Sequence, residues 1–290
     1  MLSNRTFIII EEAEFGTEYT GVAYLKPKTV VNNQYFDSAS YGLIESIDLT
    51  NDGFDDIVVS NMTHIMAIDI KAGGVLWNVS CNTTIRGIVV GDYGSSDENE
   101  VVFYDWENVT VIDQDGDVIL QKHVVDYSLG GKILFVFVND FDGDSNGEII
   151  VVTNFGTWII DNNELNSHIT LTGPLYVVTG DFNGDGAYDL AYKMLVYGYL
   201  FVIKGDASGT LWTTTLGPAY ANKWLPDIFV IDYNNDGVDD IAFTNVTGEI
   251  DIFDGKTGSI IHVIPTGIES FGLSLDKDRM FNISGGIAIK

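Results

Sequence analysis

Apolar residues run along the chain in short bursts broken by Gly, Asn and Asp, and no stretch keeps a helical period. Leu43 to Ile47, Asp56 to Ser60, the alternating His64 to Ile70, and Val75 to Val79 read as four successive strands, with Gly73-Gly74 as a tight hairpin turn. The scheme then repeats. A second unit has Ile85 to Val90, Val101 to Tyr104, Val109 to Asp113 and Val118 to Val124. A third has Ile133 to Val138, Ile149 to Thr153, Thr157 to Asp161 and, after a longer turn, His168 to Leu171. A fourth has Leu175 to Thr179, Asp189 to Tyr192, Leu200 to Lys204 and Leu211 to Thr215. A fifth has Asp227 to Ile231, Asp240 to Thr244, Glu249 to Phe253 and Ile260 to Ile264.

Between the first two strands of each unit lies a nine-residue polar loop. The fullest copy is Asp232-Tyr-Asn-Asn-Asp-Gly-Val-Asp-Asp240, with oxygen side chains at positions 1, 3, 5 and 9 and glycine at 6. Alternating oxygen donors around a glycine turn are what a calcium ion takes from a short loop. An EF-hand adds a Glu at position 12 and flanking helices; here position 12 is Phe243 and the flanks are strands. The candidate ligands are Asp48, Thr50, Asp52 and Asp56; Asp140, Asp142, Asp144 and Glu148; Asp181, Asn183, Asp185 and Asp189; and Asp232, Asn234, Asp236 and Asp240. They provide for about four calcium ions. The copy from Asp92 to Glu100 has Gly94 and Ser96 at ligand positions and reads as a turn without a cation.

The loops begin at 48, 92, 140, 181 and 232, in steps of 44, 48, 41 and 51 residues. A period in the forties with four strands per unit predicts an all-β chain, a β-propeller of four-stranded antiparallel blades. The units run about 42–81, 85–125, 130–172, 175–216 and 226–265. Residues 268–290 supply strands at Ser270 to Leu275 and Met280 to Ile289, and the N-terminal segment supplies Thr6 to Ile10 and Thr20 to Leu25. Pooling 268–290 with 5–36 makes a sixth blade and removes exposed sheet edges. A seven- or eight-bladed ring, or a fragment of one, is the alternative.

Composition narrows the functions. Lys plus Arg number 14 against 42 Asp plus Glu, a formal net charge of −28. Such a chain does not bind nucleic acid by neutralising phosphates, and anionic membranes repel it. At 46% hydrophobic residues it is not a disordered acidic segment. The loops account for part of the acidity; the rest reads as solvated surface, with a salty habitat as another source. The single cysteine, Cys81, forms no internal disulfide and reads as a small buried hydrophobe. No apolar run reaches the length of a membrane span. Phe7 to Ile10, followed by Glu11-Glu12, is not a signal peptide, so one has been removed or the chain is part of a longer one. Seven Asn-x-Ser/Thr sequons, at Asn4, Asn61, Asn78, Asn82, Asn108, Asn245 and Asn282, point to an extracellular glycoprotein.

The loop Asp-x-Asn/Asp-x-Asp-Gly-x-x-Asp followed by an apolar strand resembles FG-GAP (VCBS-type) repeats, the calcium-bearing blades of integrin alpha-subunit propellers. The likeness covers roughly residues 42–265. Phe271-Gly272 matches half of the FG-GAP signature; the Gly-Ala-Pro half is absent. A looser likeness joins Ala67 to Trp77, Gly209 to Trp212 and Asp254 to Gly258 to the strand three–four hairpin of quinoprotein-type propellers. Trp77 and Trp212 hold its docking position; they read as packing residues between blades, since no paired cysteines cap a cofactor.

The FG-GAP resemblance implies a recognition or adhesion module with structural calcium, binding its ligand on the face opposite the calcium loops. In a four-stranded meander the 1–2 and 3–4 connections share one face, and the 2–3 and 4–1 connections the other. On that second face Tyr197, Tyr199, Tyr220 and Trp224 of the fourth unit form a candidate patch for a protein or glycan partner. The four histidines show neither metal spacing nor a catalytic triad, so no catalysis is expected. The competing reading is a polysaccharide lyase-like enzyme on a calcium-stabilised propeller, which needs a basic residue in its site.

Overall fold

The computed structural model describes residues 28–31, 34–37, 43–95, 98–169, 174–194, 198–216, 228–244, 249–265, 273–276, 279–282 and 287–289. Strands β1 (Lys28–Val31) and β2 (Gln34–Asp37) pair as a two-stranded sheet. Blade one is β3 (Leu43–Ile47), β4 (Asp56–Ser60), β5 (His64–Asp69) and β6 (Gly74–Ser80). Blade two is β7 (Gly87–Asp92), β8 (Asn99–Tyr104), β9 (Asn108–Ile112) and β10 (Val118–His123). Blade three is β11 (Ile133–Asn139), β12 (Glu148–Thr153), β13 (Gly156–Asp161) and β14 (Glu164–Ile169). Blade four is β15 (Pro174–Gly180), β16 (Asp189–Met194), β17 (Tyr199–Ile203) and β18 (Thr210–Thr215). Blade five is β19 (Ile228–Ile231), β20 (Asp240–Thr244), β21 (Glu249–Phe253) and β22 (Ile260–Pro265). Strands β23 (Leu273–Asp276), β24 (Arg279–Asn282) and β25 (Ile287–Ile289) form a three-stranded sheet. Each of the five four-stranded sheets keeps its strands in chain order. Among the described residues there is no α-helix, only a 3-10 turn at Tyr127–Leu129.

The five predicted units are thus present. One hairpin differs from expectation. Blade three has no long turn before its last strand: Asp161 pairs with Glu164, and Asn162 and Asn163 both take positive φ (46° and 65°). Two left-handed residues make the tight turn whose twist suits a hairpin, and asparagine tolerates them. The outermost strand therefore starts at Glu164 rather than His168. The expected sharing of a blade between the chain ends rests partly on Thr6 to Ile10 and Thr20 to Leu25, which lie outside the described residues.

Two compact units divide the chain, Met1–Val138 and Asn139–Lys290. In each, the second strand of a blade is buried on both faces, as its unbroken apolar run requires, and the outermost is mostly exposed. β12 is buried throughout, whereas β22 is exposed at nearly every position. The core of the first unit joins Leu49, Val58, Ile65, Trp77, Ile88, Val101 and Phe103. That of the second joins Phe182, Ala191, Leu200, Val202, Ile241, Phe243 and Phe253.

Both expected docking tryptophans bridge neighbouring blades. Trp77, on the last strand of blade one, donates its indole N–H to the Gln114 carbonyl in the turn of blade two at 3.0 Å. Its ring lies over Gly116 (φ 89°), where an added Cβ would stand 2.8 Å from it. In the second unit Trp212 of blade four donates in the same way to the Gly255 carbonyl of blade five.

Candidate metal centre

The nine-residue loops fold alike. The position-1 carboxylate curls over its own loop and accepts the N–H of position 6: Gly53 to Asp48 at 2.8 Å, Ser145 to Asp140 at 2.9 Å, Gly186 to Asp181 at 3.0 Å and Gly237 to Asp232 at 3.1 Å. Position 6 is left-handed in all four, and Ser145 adopts φ 71° where the others have glycine. Position 4 is left-handed too, filled by Asn51, Gly143, Gly184 and Asn235. The position-5 carboxylate accepts from the N–H of position 7, as Asp144 does from Asn146 at 2.8 Å and Asp236 from Val238 at 3.0 Å.

Position 9 locks each loop onto its blade. One oxygen accepts the N–H of position 2: Leu49 to Asp56 (3.0 Å), Phe141 to Glu148 (2.7 Å), Phe182 to Asp189 (3.1 Å) and Tyr233 to Asp240 (3.1 Å). The copy without a full ligand set keeps this bond, from Tyr93 to Glu100 at 2.6 Å. These carboxylates are nearly inaccessible, between 1% and 3% exposed. Burial, opposed by these hydrogen bonds, raises the proton affinity of Asp56 and Asp240. It pushes Glu148 and Asp189 to about 7, with neighbouring loop carboxylates adding to the rise.

Consecutive loops are also clasped. In the second unit the Tyr188 N–H donates to the Asp140 carbonyl at 2.8 Å, and the Asp239 N–H to the Asp181 carbonyl at 3.0 Å. Each clasp joins position 8 of one loop to position 1 of the loop before it. Asp239 answers in return, its Oδ2 accepting the Asp181 N–H at 2.9 Å. In the first unit the Asn99 side chain donates to the Asp48 carbonyl at 2.7 Å.

The loops differ in how their carboxylates are answered. In blades one, four and five a lysine from the same blade's 3–4 turn reaches position 5: Lys71 to Asp52 at 3.2 Å, Lys204 to Asp185 at 3.5 Å and Lys256 to Asp236 at 3.6 Å. The blade-three turn, Asp161-Asn162-Asn163, carries no lysine. There Asp140, Asp142 and Glu148 bring one oxygen each to within 4.8 Å of one another, the group of this kind among the described residues. Oxygens 2.3–2.6 Å from a calcium ion span at most about 5 Å across it, so this spacing fits one ion. Glu148 Oε1 is buried without a hydrogen-bond partner, and so is Thr50 Oγ1 at position 3 of blade one. Asp56 Oδ1 is also buried without such a partner, although the Ile70 N–H still lowers that carboxyl's proton affinity. A buried oxygen left unpaired is costly, and these three sit at ligand positions.

Beside the blade-three loop lies a cavity of about 240 Å³, bordered by Asp142, Glu148, Asp161, Asn166, Asp206 and the apolar Phe141 and Ile159. Gly205 completes its wall. A Cβ there would meet the Tyr188 carbonyl oxygen at 2.0 Å, so the position has room only for glycine.

Of the candidate partner patch, Tyr197, Tyr220 and Trp224 lie outside the described residues. Tyr199 is half-buried, its ring tilted against Phe201 at 5.8 Å. An aromatic array the sequence reading did not single out is in blade two, on its 2–3 and 4–1 connections. Trp106 stacks on Tyr127 at 6.0 Å, and Arg86 lies 4.2 Å over the Trp106 ring. Tyr127 is 52% exposed and is held by its N–H to Glu107 Oε1 at 2.7 Å. Among the sequons, Asn61, Asn78 and Asn82 are exposed. The amide nitrogen of Asn108 is taken by both oxygens of Asp105, at 3.2 and 3.1 Å.

No protein-family model matches the chain, and no curated protein matches it. Solved structures do. BBS1N, crystallised in complex with ARL6DN and soaked with lead, superposes with a TM-score of 0.62 at 15% identity, covering 84% of this chain and 77% of that one. The Vibrio cholerae (V. cholerae) biofilm matrix protein Bap1 gives 0.51 at 18%, covering 81% of this chain and 40% of that one. The WD40 domain of SCAP from fission yeast gives 0.50 at 12%, covering 72% and 53%. At these identities the likeness is one of fold: the chain is a β-propeller of four-stranded antiparallel blades.

Proposed function

We propose that the chain is a calcium-stapled propeller of the FG-GAP/VCBS type, acting as a non-catalytic recognition module outside the cell. The carrying observation is the buried, unpartnered Glu148 Oε1 within reach of Asp140 and Asp142. In this reading Asp140, Asp142 and Glu148 hold one ion, and the sister loops hold theirs through the equivalent residues. A cation there neutralises carboxylates that burial and mutual repulsion hold at high proton affinity, and it ties the loop to its blade. Extracellular placement is supported by the exposed sequons Asn61, Asn78 and Asn82. A protein partner accords with the BBS1N neighbour, which was crystallised with ARL6DN. In the Trp106–Tyr127 array, on the face opposite the loops of its blade, the exposed Tyr127 ring is backed by the half-buried Trp106, a pairing suited to an interface anchor.

The test is calcium binding by equilibrium dialysis on the full chain, wild type against Glu148→Gln. The reading expects saturable binding of several ions, with one fewer in the variant. Absence of bound calcium at millimolar concentration overturns it.

A further inference from the structure

Blade two holds an arginine that the chain's many acids leave alone. Acids outnumber bases 42 to 14, and Lys71, Lys204 and Lys256 each sit on a loop carboxylate. Arg86, the last residue before β7, is exposed; its guanidinium lies 4.2 Å over the Trp106 ring, and no carboxylate among the described residues pairs with it. Lys132 Nζ stands 5.8 Å from the same ring. The carboxylates next to this array serve the array itself. Glu107 Oε1 accepts the Tyr127 N–H at 2.7 Å. Asp126 Oδ1 accepts the Ser128 N–H at 2.9 Å and the Ser128 hydroxyl. The buried Asp105 accepts from the Thr83 hydroxyl and from the N–H groups of Glu107 and Asn108.

The array is held rigidly. The Ile133 N–H donates to the Trp106 carbonyl at 2.9 Å and the Val124 N–H to the Glu107 carbonyl at 2.8 Å, so the connection leaving the blade is sewn to its 2–3 turn. Gly130 (φ 86°) caps the 3-10 turn Tyr127–Leu129. That turn stacks Tyr127 on Trp106 and leaves Leu129 75% exposed. Met62, 41% exposed, adjoins from blade one: its carbonyl accepts the N–H of Ile85, the residue before Arg86, at 2.9 Å. Met62, Tyr127 and Leu129 thus share this face with a guanidinium whose N–H donors are unspent among the described residues. A surface fixed in advance loses little further freedom on binding.

The chemistry of the face specifies the guest. A guanidinium laid on an aromatic ring presents its edge to a carboxylate, in the forked geometry such pairs favour. Charges more than about 8 Å away are largely screened at physiological ionic strength, so the local pair, not the chain's total charge, decides the contact. The exposed aliphatic and aromatic side chains suit an apolar side chain; a sugar would need polar groups where Met62 and Leu129 stand. We propose that this face docks a protein segment placing an Asp or Glu beside a bulky apolar residue. The carboxylate pairs with Arg86, and the apolar residue packs on Tyr127 and Leu129. The proposal rests on the reading of the chain as a recognition module and supplies the partner's chemistry.

The test is selection of a phage-displayed random peptide library on the immobilised full chain in calcium chloride, followed by fluorescence anisotropy of the enriched peptides. The expected sequences set Asp or Glu next to Phe, Leu, Ile or Met. Arg86→Met, which keeps a stem over Trp106, weakens their binding by about fivefold. Tyr127→Ala weakens it by at least about tenfold. Leu129→Ser, at the most exposed of these side chains, is a second apolar probe and weakens it as well. All three variants keep the wild-type melting temperature, since the side chains they change are exposed. Enriched peptides that bind every variant as tightly as wild type overturn the proposal and the anchor role of the array together, as does a failure to enrich any peptide. Basic or uncharged peptides that depend on Tyr127 overturn the acidic chemistry and leave the recognition-module reading standing. Binding of sialyllactose or of phosphatidylserine vesicles that is lost in Tyr127→Ala assigns the face to a glycan or a lipid and overturns the proposal.

Discussion

Lys193 Nζ lies 5.6 Å from the centre of the Phe243 ring, and no carboxylate among the described residues pairs with it. The side chain is 2% exposed on β16, and burial holds its ammonium down to about 8. The unfolded chain binds this proton up to about 10.5. Between those values the unfolded state carries the extra proton, so stability rises with pH across the window. Below about pH 8 both states are protonated and the full desolvation cost remains. After solvent screening that cost is roughly 2 kcal/mol. Lys193→Met is expected to be more stable than wild type at pH 7 and to lose the slope. Urea unfolding of the pair at pH 7 and pH 10 measures this; parallel pH dependences refute it.

Chelation probes the loops together. At tenfold excess over its dissociation constant, each ion adds about 1.4 kcal/mol. Several occupied loops then approach the net stability of a whole domain. The melting temperature is expected to fall sharply in EDTA and to recover with calcium. Asp189→Asn should remove about one loop's share of that response. A melting curve indifferent to EDTA contradicts the stapling role.

Gly205 tests the clasp between blades three and four. An alanine methyl would drive into the Tyr188 and Phe141 carbonyl oxygens, which are backbone atoms unable to swing aside. Gly205→Ala is expected to cost at least about 2 kcal/mol. Gly209, with open space at its Cβ, is the matched control and should change little. Equal midpoints for the two variants would show that the loops yield more easily than their packing indicates.

Trp77→Phe removes the hydrogen bond to the Gln114 carbonyl and part of the packing on Gly116. The expected loss is about 1–3 kcal/mol, read from the urea midpoint. Trp212→Phe should behave alike. Losses under about 0.5 kcal/mol in both would reduce these tryptophans to fillers.

The blades were legible because strand pattern and turn chemistry agree at every repeat: an apolar run, an Asp-rich loop, a second apolar run. Trp77 and Trp212 were readable as inter-blade packers from their place in the hairpin. The left-handed requirement at position 4 was missed, since Asn51 and Asn235 look like ordinary polar residues in an Asp-rich loop. The lysine contacts were missed for a different reason. Lys71 and Lys204 each lie 19 residues from their partners, a distance only the pairing of strands closes. The longer turn expected before His168 failed because Asn162-Asn163 was not weighed as a two-residue turn.

The position-1 to position-8 clasps make the repeat longer than its period. Asp140 belongs to blade three by sequence, yet its carbonyl is answered by Tyr188 of blade four, and Asp181 is answered by Asp239 of blade five. A blade cut out at its own strand boundaries carries half of two clasps and the whole of none. Grafting one loop into another blade must therefore bring along position 8 of its successor. Drift at these clasps is constrained between neighbours rather than within copies, so Asn99, Tyr188 and Asp239 each answer to the loop before their own.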